Sequence, residues 1–299
     1  MTVLVTGATG NVGRRVVAGL AAAGVPVRAM ARRPEAAAPP PGVRVVAGDF
    51  TRPETWAAAL DGVAAVYLYP FSYLTGPAGE AFAERAAAAG VRRFVVHSAI
   101  AAGFDGTDDP ADPAIGPLRR HLAEERDAHR AAELLVEATD REWTHLRPGL
   151  LAANALGWAG EVRATGAVRL PYPDAGNAVV HEADIADVAV AALTTDDHVG
   201  AVYELTGPER VTQAEQVAAI GAAIGRDLAV VAEDPDATRA RWSAETGLGR
   251  DLVDGLVAVQ AASVAPPGLV PPTGTVERLT GRPARSFAAW ARDHAADFR

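Results

Sequence analysis

Gly7, Gly10 and Gly13 stand three residues apart in "MTVLVTGATGNVGRRVVAGL", between a short apolar run and an amphipathic stretch. A glycine-rich turn in that position lets the backbone approach a pyrophosphate, while the following helix offers N–H donors and a positive dipole end. The candidate contacts are Gly7, Thr9, Gly10, Asn11, Val12 and Gly13, and the ligand they imply is a dinucleotide. The spacing is G-x-x-G-x-x-G rather than G-x-G-x-x-G, so the strand–loop–helix setting carries the reading, not the glycines alone. The alternative is a tight turn that only packs the helix on its sheet.

About twenty residues further on, where an acid would bind an adenosine ribose, the chain has "MARRPE". Arg32 and Arg33 offer guanidinium groups suited to a 2′-phosphate, which favours NADP(H) over NAD(H). Arg32 ranks first, because Arg33 reads equally well as a solvated loop charge. Asp49 and Phe50 close the next strand and are placed to flank the adenine, with a plain turn as the competing reading.

A second constellation lies in "HLAEERDAHRAAE". His121, Glu125, His129 and Glu133 recur every four residues and share one helix face. Histidine and carboxylate one turn apart can exchange protons near neutral pH, or can merely decorate a solvated face. Glu125 could act as a general acid only if burial raised its pKa. His121, Glu125 and His129 lack ligands from a second element, so no metal site is expected. Ser98 ends an apolar strand, and His97 before it reads as a packed residue on the opposite face. Tyr69, Pro70 and Tyr73 follow the preceding strand, where a tyrosine could stack on a planar ligand or donate a proton, or simply pack.

Strands and helices alternate to position these groups. Val3–Val5 is a strand and Val12–Ala23 a helix stopped by Gly24; further strands follow at 25–29, 43–49, 63–69, 92–99 and 143–148. Helical patterns at 51–60, 79–90 and 118–139 separate them. The rhythm predicts an α/β fold, a Rossmann-like doubly wound parallel sheet with a smaller C-terminal substrate lobe. Residues 1–150, with a return segment near 178–206, form the dinucleotide domain, and 151–177 with 207–299 form the lobe. In the lobe, Thr212 and Glu215 make a capping box for a helix, and the rest reads as mostly helical. Asn154, Trp158 and Tyr172 are its candidate pocket residues.

The 299 residues are 49% hydrophobic, enough for a large core, and carry a net charge of −9 that argues against a nucleic-acid partner. All 28 basic residues are arginines, and cysteine is absent, which removes disulfides and thiolate chemistry. A strand begins at once, with no leader-like segment before it, and no apolar run is long enough to span a membrane. A cytoplasmic location, a small-molecule substrate and a homodimer are the corresponding expectations.

With "VTGATGNVGRRV", "GDFTRPETWAAAL", "RFVVHSA", "HRAAE", "THLRPG", "EADIADVAVAAL" and "YELTGPERVTQAE" in order, the whole chain resembles the NmrA-like atypical short-chain dehydrogenases. The resemblance implies an NADPH-dependent oxidoreductase acting on a quinone, an enone or another planar carbonyl compound. The group also includes proteins that only sense the dinucleotide, and a non-redox cyclase, lyase or isomerase is the further alternative. The superfamily's Tyr-x-x-x-Lys pair cannot be present in a chain without lysine. By the resemblance His129 takes the lysine position, holding the nicotinamide ribose, with Glu133 as its supporting acid and Glu125 at the tyrosine position. By the same resemblance Ser98 sits where the superfamily's substrate-orienting serine begins, and Arg147 and Pro148 match the loop beside the nicotinamide, unless Arg147 is a structural anchor.

Overall fold

The computed structural model describes residues 1–69 and 77–299. Pro70 and Tyr73 therefore lie outside the described residues. The strands are β1 (Thr2–Val5), β2 (Val27–Ala31), β3 (Arg44–Ala47), β4 (Val63–Leu68), β5 (Arg93–His97), β6 (Glu142–Pro148), β7 (Ala167–Leu170), β8 (Gly176–Asn177), β9 (Ala201–Leu205), β10 (Val211–Thr212) and β11 (Ala229–Ala232). The helices are α1 (Gly13–Ala22), α2 (Trp56–Leu60), α3 (Pro77–Ala88), α4 (Pro117–Glu137), α5 (Ala159–Thr165), α6 (Glu182–Thr194), α7 (Gln213–Ile224), α8 (Pro235–Thr246), α9 (Arg250–Ala262), α10 (Thr275–Thr280) and α11 (Phe287–Asp293).

Two compact units emerge. The first, Met1–Gly103 with Arg126–Pro148 and Glu182–Leu205, holds a seven-stranded sheet in the order β3-β2-β1-β4-β5-β6-β9. Every neighbouring pair in it is parallel. This is the Rossmann-like sheet that alternating strands and helices require, with its order reversing between β1 and β4. All five residues of β5 are buried, as expected of a strand covered on both faces. The core gathers Leu4, Val66, Phe82, Phe94 and Val136. Helix α1 buries Val16, Val17 and Leu20 on one stripe, and Gly24, at φ +71°, ends it in the left-handed conformation that glycine adopts without strain.

The second unit comprises Phe104–Glu125, Gly149–His181 and Thr206–Arg299, so the chain passes from one unit to the other between Pro148 and Gly149 and also within α4, between Glu125 and Arg126. Its core is built on Val162, Leu170, Val217, Ile220, Phe287 and Trp290. Both halves of the capping box are present: Glu215 N–H donates to Thr212 Oγ1 at 3.1 Å, and Thr212 N–H donates to the Glu215 carboxylate at 2.7 Å. One element departs from the helical reading of this region. Ala229–Ala232 forms β11, parallel to β7, although all four of its residues are exposed. A run of four apolar residues carries no period to separate strand from helix, and pairing with β7 decides it.

Candidate active site

The glycine loop is made of backbone. Gly7 sits at φ +60°, its carbonyl accepts the Gly10 N–H at 2.9 Å, and the Gly10 carbonyl accepts the Arg14 N–H at 3.1 Å. A Cβ on Gly13 would lie 2.1 Å from the Gly7 carbonyl oxygen, so the loop closes on itself only with glycine there. Val12 occupies the N-cap of α1, and no side chain caps the helix. A helix start left open and approached by bare backbone suits a pyrophosphate, so the residues present fit the dinucleotide they imply. Thr9 and Gly10 are exposed on this loop, Asn11 is half-buried and Val12 is buried.

Arg32 and Arg33 are exposed just beyond β2. Asp49 lies close enough to feel the charge of Arg32. Its carboxyl is held below the usual range, first by the Thr51 backbone N–H and, among smaller contributions, by the Thr51 hydroxyl and Arg32. Its Oδ1 accepts both Thr51 N–H, at 2.9 Å, and Thr51 Oγ1, at 2.8 Å, so the side chain builds the turn after β3. Phe50 packs edge-on against Phe82, with ring centroids 4.8 Å apart. Both residues are thus committed to local structure while remaining half-exposed.

The helical stripe is not a solvated face. His121 is buried against Gly255 of α9, where an added Cβ would come within 2.6 Å of the histidine Cβ. Glu125 and His129 are half-buried, and Glu133 is fully buried. Arg147 of β6 grips Glu133 with Nε and Nη2, both at 2.8 Å, and Arg130 adds a third bond at 2.9 Å. Burial acts to raise the Glu133 pKa, but Arg147, Ser98, His145 and Arg130 together outweigh it and hold the carboxyl at about 2. Arg147 is therefore engaged as the anchor between β6 and α4. Arg130 reaches on to Glu137 at 2.7 Å, and Glu137 meets His145 Nε2 at 3.0 Å. Glu133, Glu137 and His145 bring ligand atoms within 4.8 Å of one another, but the arginines already occupy the two carboxylates.

Ser98 follows β5, with its N–H donating to the Leu146 carbonyl at 2.7 Å. Its Oγ is buried without a well-formed hydrogen bond, close enough to Glu133 to help lower that carboxyl's pKa. On the other side of β5, His97 Nδ1 meets the Tyr67 hydroxyl at 2.6 Å. The Tyr69 ring stands edge-on to the His97 ring at 5.1 Å, and a Cβ added to Gly7 would come within 3.1 Å of the Tyr69 Cδ1. His129 is near enough for its charge to depress the His97 pKa. The structure thus brings Tyr69, His97 and His129 to the end of β5 beside the glycine loop, and Ser98 to the opposite face with Glu133. Glu125 lies one helical turn before His129, in the segment belonging to the second unit. In that unit Asn154 is exposed, Tyr172 is half-buried and Trp158 packs on the core.

Tyr67 and Arg130 carry parts of this arrangement that the residue pattern did not single out. Their available signals were a tyrosine inside an otherwise apolar buried strand and an arginine one turn before a buried acid.

Residues 7–196 match the NAD(P)H-binding family. The chain belongs to that family. The family match agrees with the NmrA-like, atypical short-chain dehydrogenase resemblance. Along its full length the chain is 39% identical over 299 residues to a (4-alkanoyl-5-oxo-2,5-dihydrofuran-3-yl)methyl phosphate reductase from Streptomyces griseus subsp. griseus, covering 99% of both chains. It is 34% identical over 302 residues to an NAD(P)H azoreductase from Xenophilus azovorans, again with 99% of each covered. Among solved structures, an NADPH-dependent quinone oxidoreductase from Escherichia coli complexed with NADPH superposes with a TM-score of 0.74 at 24% identity, over 97% of this chain and 99% of that one. That likeness shows a shared fold. Among the described residues, no helix is long and apolar enough to cross a membrane.

Proposed function

We propose that this protein is an NADPH-dependent reductase of planar, conjugated carbonyl compounds such as quinones, enones and unsaturated lactones. The observation that carries the reading is the self-closed glycine loop, which leaves the start of α1 open to a pyrophosphate. Backbone from Gly7 to Gly13 would hold that pyrophosphate, Arg32 the 2′-phosphate and His129 the nicotinamide ribose. NADPH supplies a hydride when bound. The full-length likeness to two reductases supports redox chemistry on this frame. A conjugated acceptor suits a chain without the Tyr-x-x-x-Lys pair, because its reduced oxygen is a stabilised anion and needs no strong acid.

The Glu133 network holds α4 to β6. A His129→Ala exchange is expected to weaken NADPH binding or turnover several-fold. Parallel fluorescence titrations with NADPH and NADH, followed by cofactor oxidation with quinone and enone acceptors, test the assignment. Preferential NADPH binding with stoichiometric oxidation is the expected result. Binding without oxidation by any acceptor would favour a sensor, and turnover without net oxidation an isomerase or lyase.

A further inference from the structure

The Tyr67–His97 pair has no part in the ion network around Glu133, yet it is the more deeply set of the two arrangements at the end of the sheet. Tyr67 is fully buried and His97 is 5% exposed, with the hydroxyl and Nδ1 at 2.6 Å. A phenol and an imidazole sharing one short contact in a buried setting must divide one hydrogen. Burial pushes the Tyr67 hydroxyl well above its usual range, so the phenol keeps its proton. Donation from Tyr67 to Nδ1 satisfies that proton, whereas a hydrogen on Nδ1 would leave the phenolic O–H without that acceptor. The imidazole hydrogen consequently resides on Nε2.

The ring also remains neutral. Burial, helped by the charge of His129, lowers the His97 pKa to about 3. Among the described residues, the titratable groups facing the ring are Tyr67 and Tyr69 from β4 and the turn after it, and His129 from α4. Its placement is tied to the glycine loop by a chain of contacts. The Tyr69 N–H donates to Thr6 Oγ1 at 2.8 Å, Thr6 Oγ1 donates to the Tyr67 carbonyl at 3.1 Å, and the Tyr69 side chain fills the space that a Cβ on Gly7 would need. His97 is the last residue of β5, at the carboxyl edge where open parallel sheets bind ligands.

We propose that Tyr67 and His97 form a fixed dyad whose Nε2–H is the hydrogen-bond donor for the substrate oxygen that becomes negative during reduction. The assignment rests on the reductase reading. In that reaction a conjugated carbonyl compound accepts a hydride from NADPH at carbon, and a C–H bond forms. The displaced π pair moves onto the conjugated oxygen, water then protonates that oxygen, and NADP⁺ is left. The imidazole keeps its proton throughout. A preorganised neutral donor stabilises the developing oxyanion without itself titrating.

Imidazole NMR of the full-length protein labelled with [15N]histidine tests the dyad without any ligand. The expected spectrum has His97 as a single species protonated on Nε2, unchanged from pH 5 to 9. A hydrogen on Nδ1, or titration near 6.5, would overturn the assignment. Catalysis supplies the second arm, with a 1,4-benzoquinone as acceptor. His97→Phe is expected to lower kcat on the order of 100-fold, with the NADPH Kd within about twofold, and His97→Gln, which keeps an N–H donor, is expected to recover part of the loss. Should His97→Phe not fold, Tyr67→Phe keeps the ring volume and is expected to mix the two tautomers and lower kcat. Unchanged kcat in the donor-less or hydroxyl-less variant sinks the proposal. A wild type that oxidises no NADPH with any acceptor overturns the reductase reading, while the NMR experiment still decides the dyad.

Discussion

The glycine loop and the Glu133 network are both in the first unit, and they are built in opposite ways. The loop is backbone closing on backbone: Gly13 abuts the Gly7 carbonyl, and no side chain caps α1. The network is side chain on side chain, with one buried carboxylate held by two arginines from α4 and β6. A backbone site is specified by the absence of atoms, so a single added methyl group is enough to spoil it. A charged network is specified by matched partners, so the harm comes from removing one and leaving the others buried. The comparison predicts that mutations in the loop affect binding first, and mutations in the network affect stability first.

Glu133→Gln gives the largest expected effect. Removing the charge leaves Arg147 and Arg130 without their shared partner, and breaking a buried pair in this way costs about 3–5 kcal/mol. Denaturant titration should show that loss, with NADPH binding by the remaining folded protein little changed. Retained stability would mean that the network is solvated in solution. Acid provides the same test by titration. The carboxyl is held at about 2 against an ordinary value of 4.5, so its contribution is fully present above pH 4.5 and is lost as the pH falls through about 2. That acid-side loss, of order a few kcal/mol, should be missing from Glu133→Gln when unfolding free energies are compared between pH 6 and 2.

Gly13→Ala comes next, and here the roles should reverse. Its methyl group would meet the Gly7 oxygen at 2.1 Å, forcing the loop open. Stability should fall by about 1–3 kcal/mol, while the NADPH Kd rises on the order of 100-fold. A variant that binds NADPH as tightly as the wild type would show that the loop does not cradle the pyrophosphate. Arg32→Glu should have the smallest effect on the fold, because Arg32 is exposed. Its expected signature is a change of about tenfold or more in the ratio of NADPH to NADH dissociation constants, with melting temperature unaltered. A ratio that stays constant removes Arg32 from the 2′-phosphate site.

Much of the fold was legible because it depends on local pattern. Apolar runs broken by glycine marked β1 to β6, the spacing of Val16, Val17 and Leu20 marked α1, and Thr212 with Glu215 marked the start of α7. The strand β11 was not legible, since AVVA has no period and only its pairing with β7 makes it a strand. The site divides in the same manner. The glycine loop could be read because each of its residues is adjacent in sequence to the next. The Tyr67–His97 contact spans 30 residues and the Arg147–Glu133 fork 14, and no helical or strand period connects such positions.

By itself the sequence determined an alternating α/β chain without lysine or cysteine, a glycine loop at the start of a helix, and arginines after the second strand. These are properties of composition and of neighbours along the chain, where steric rules and hydrophobic period act directly. Only the tertiary structure decided which strand lies beside which, that Arg147 is engaged by Glu133, and that the Tyr67 hydroxyl meets His97 Nδ1. Those outcomes depend on burial. Inside the fold, a polar group must find its partner among whatever the sheet order brings near, and that order emerges only when the whole sheet has formed.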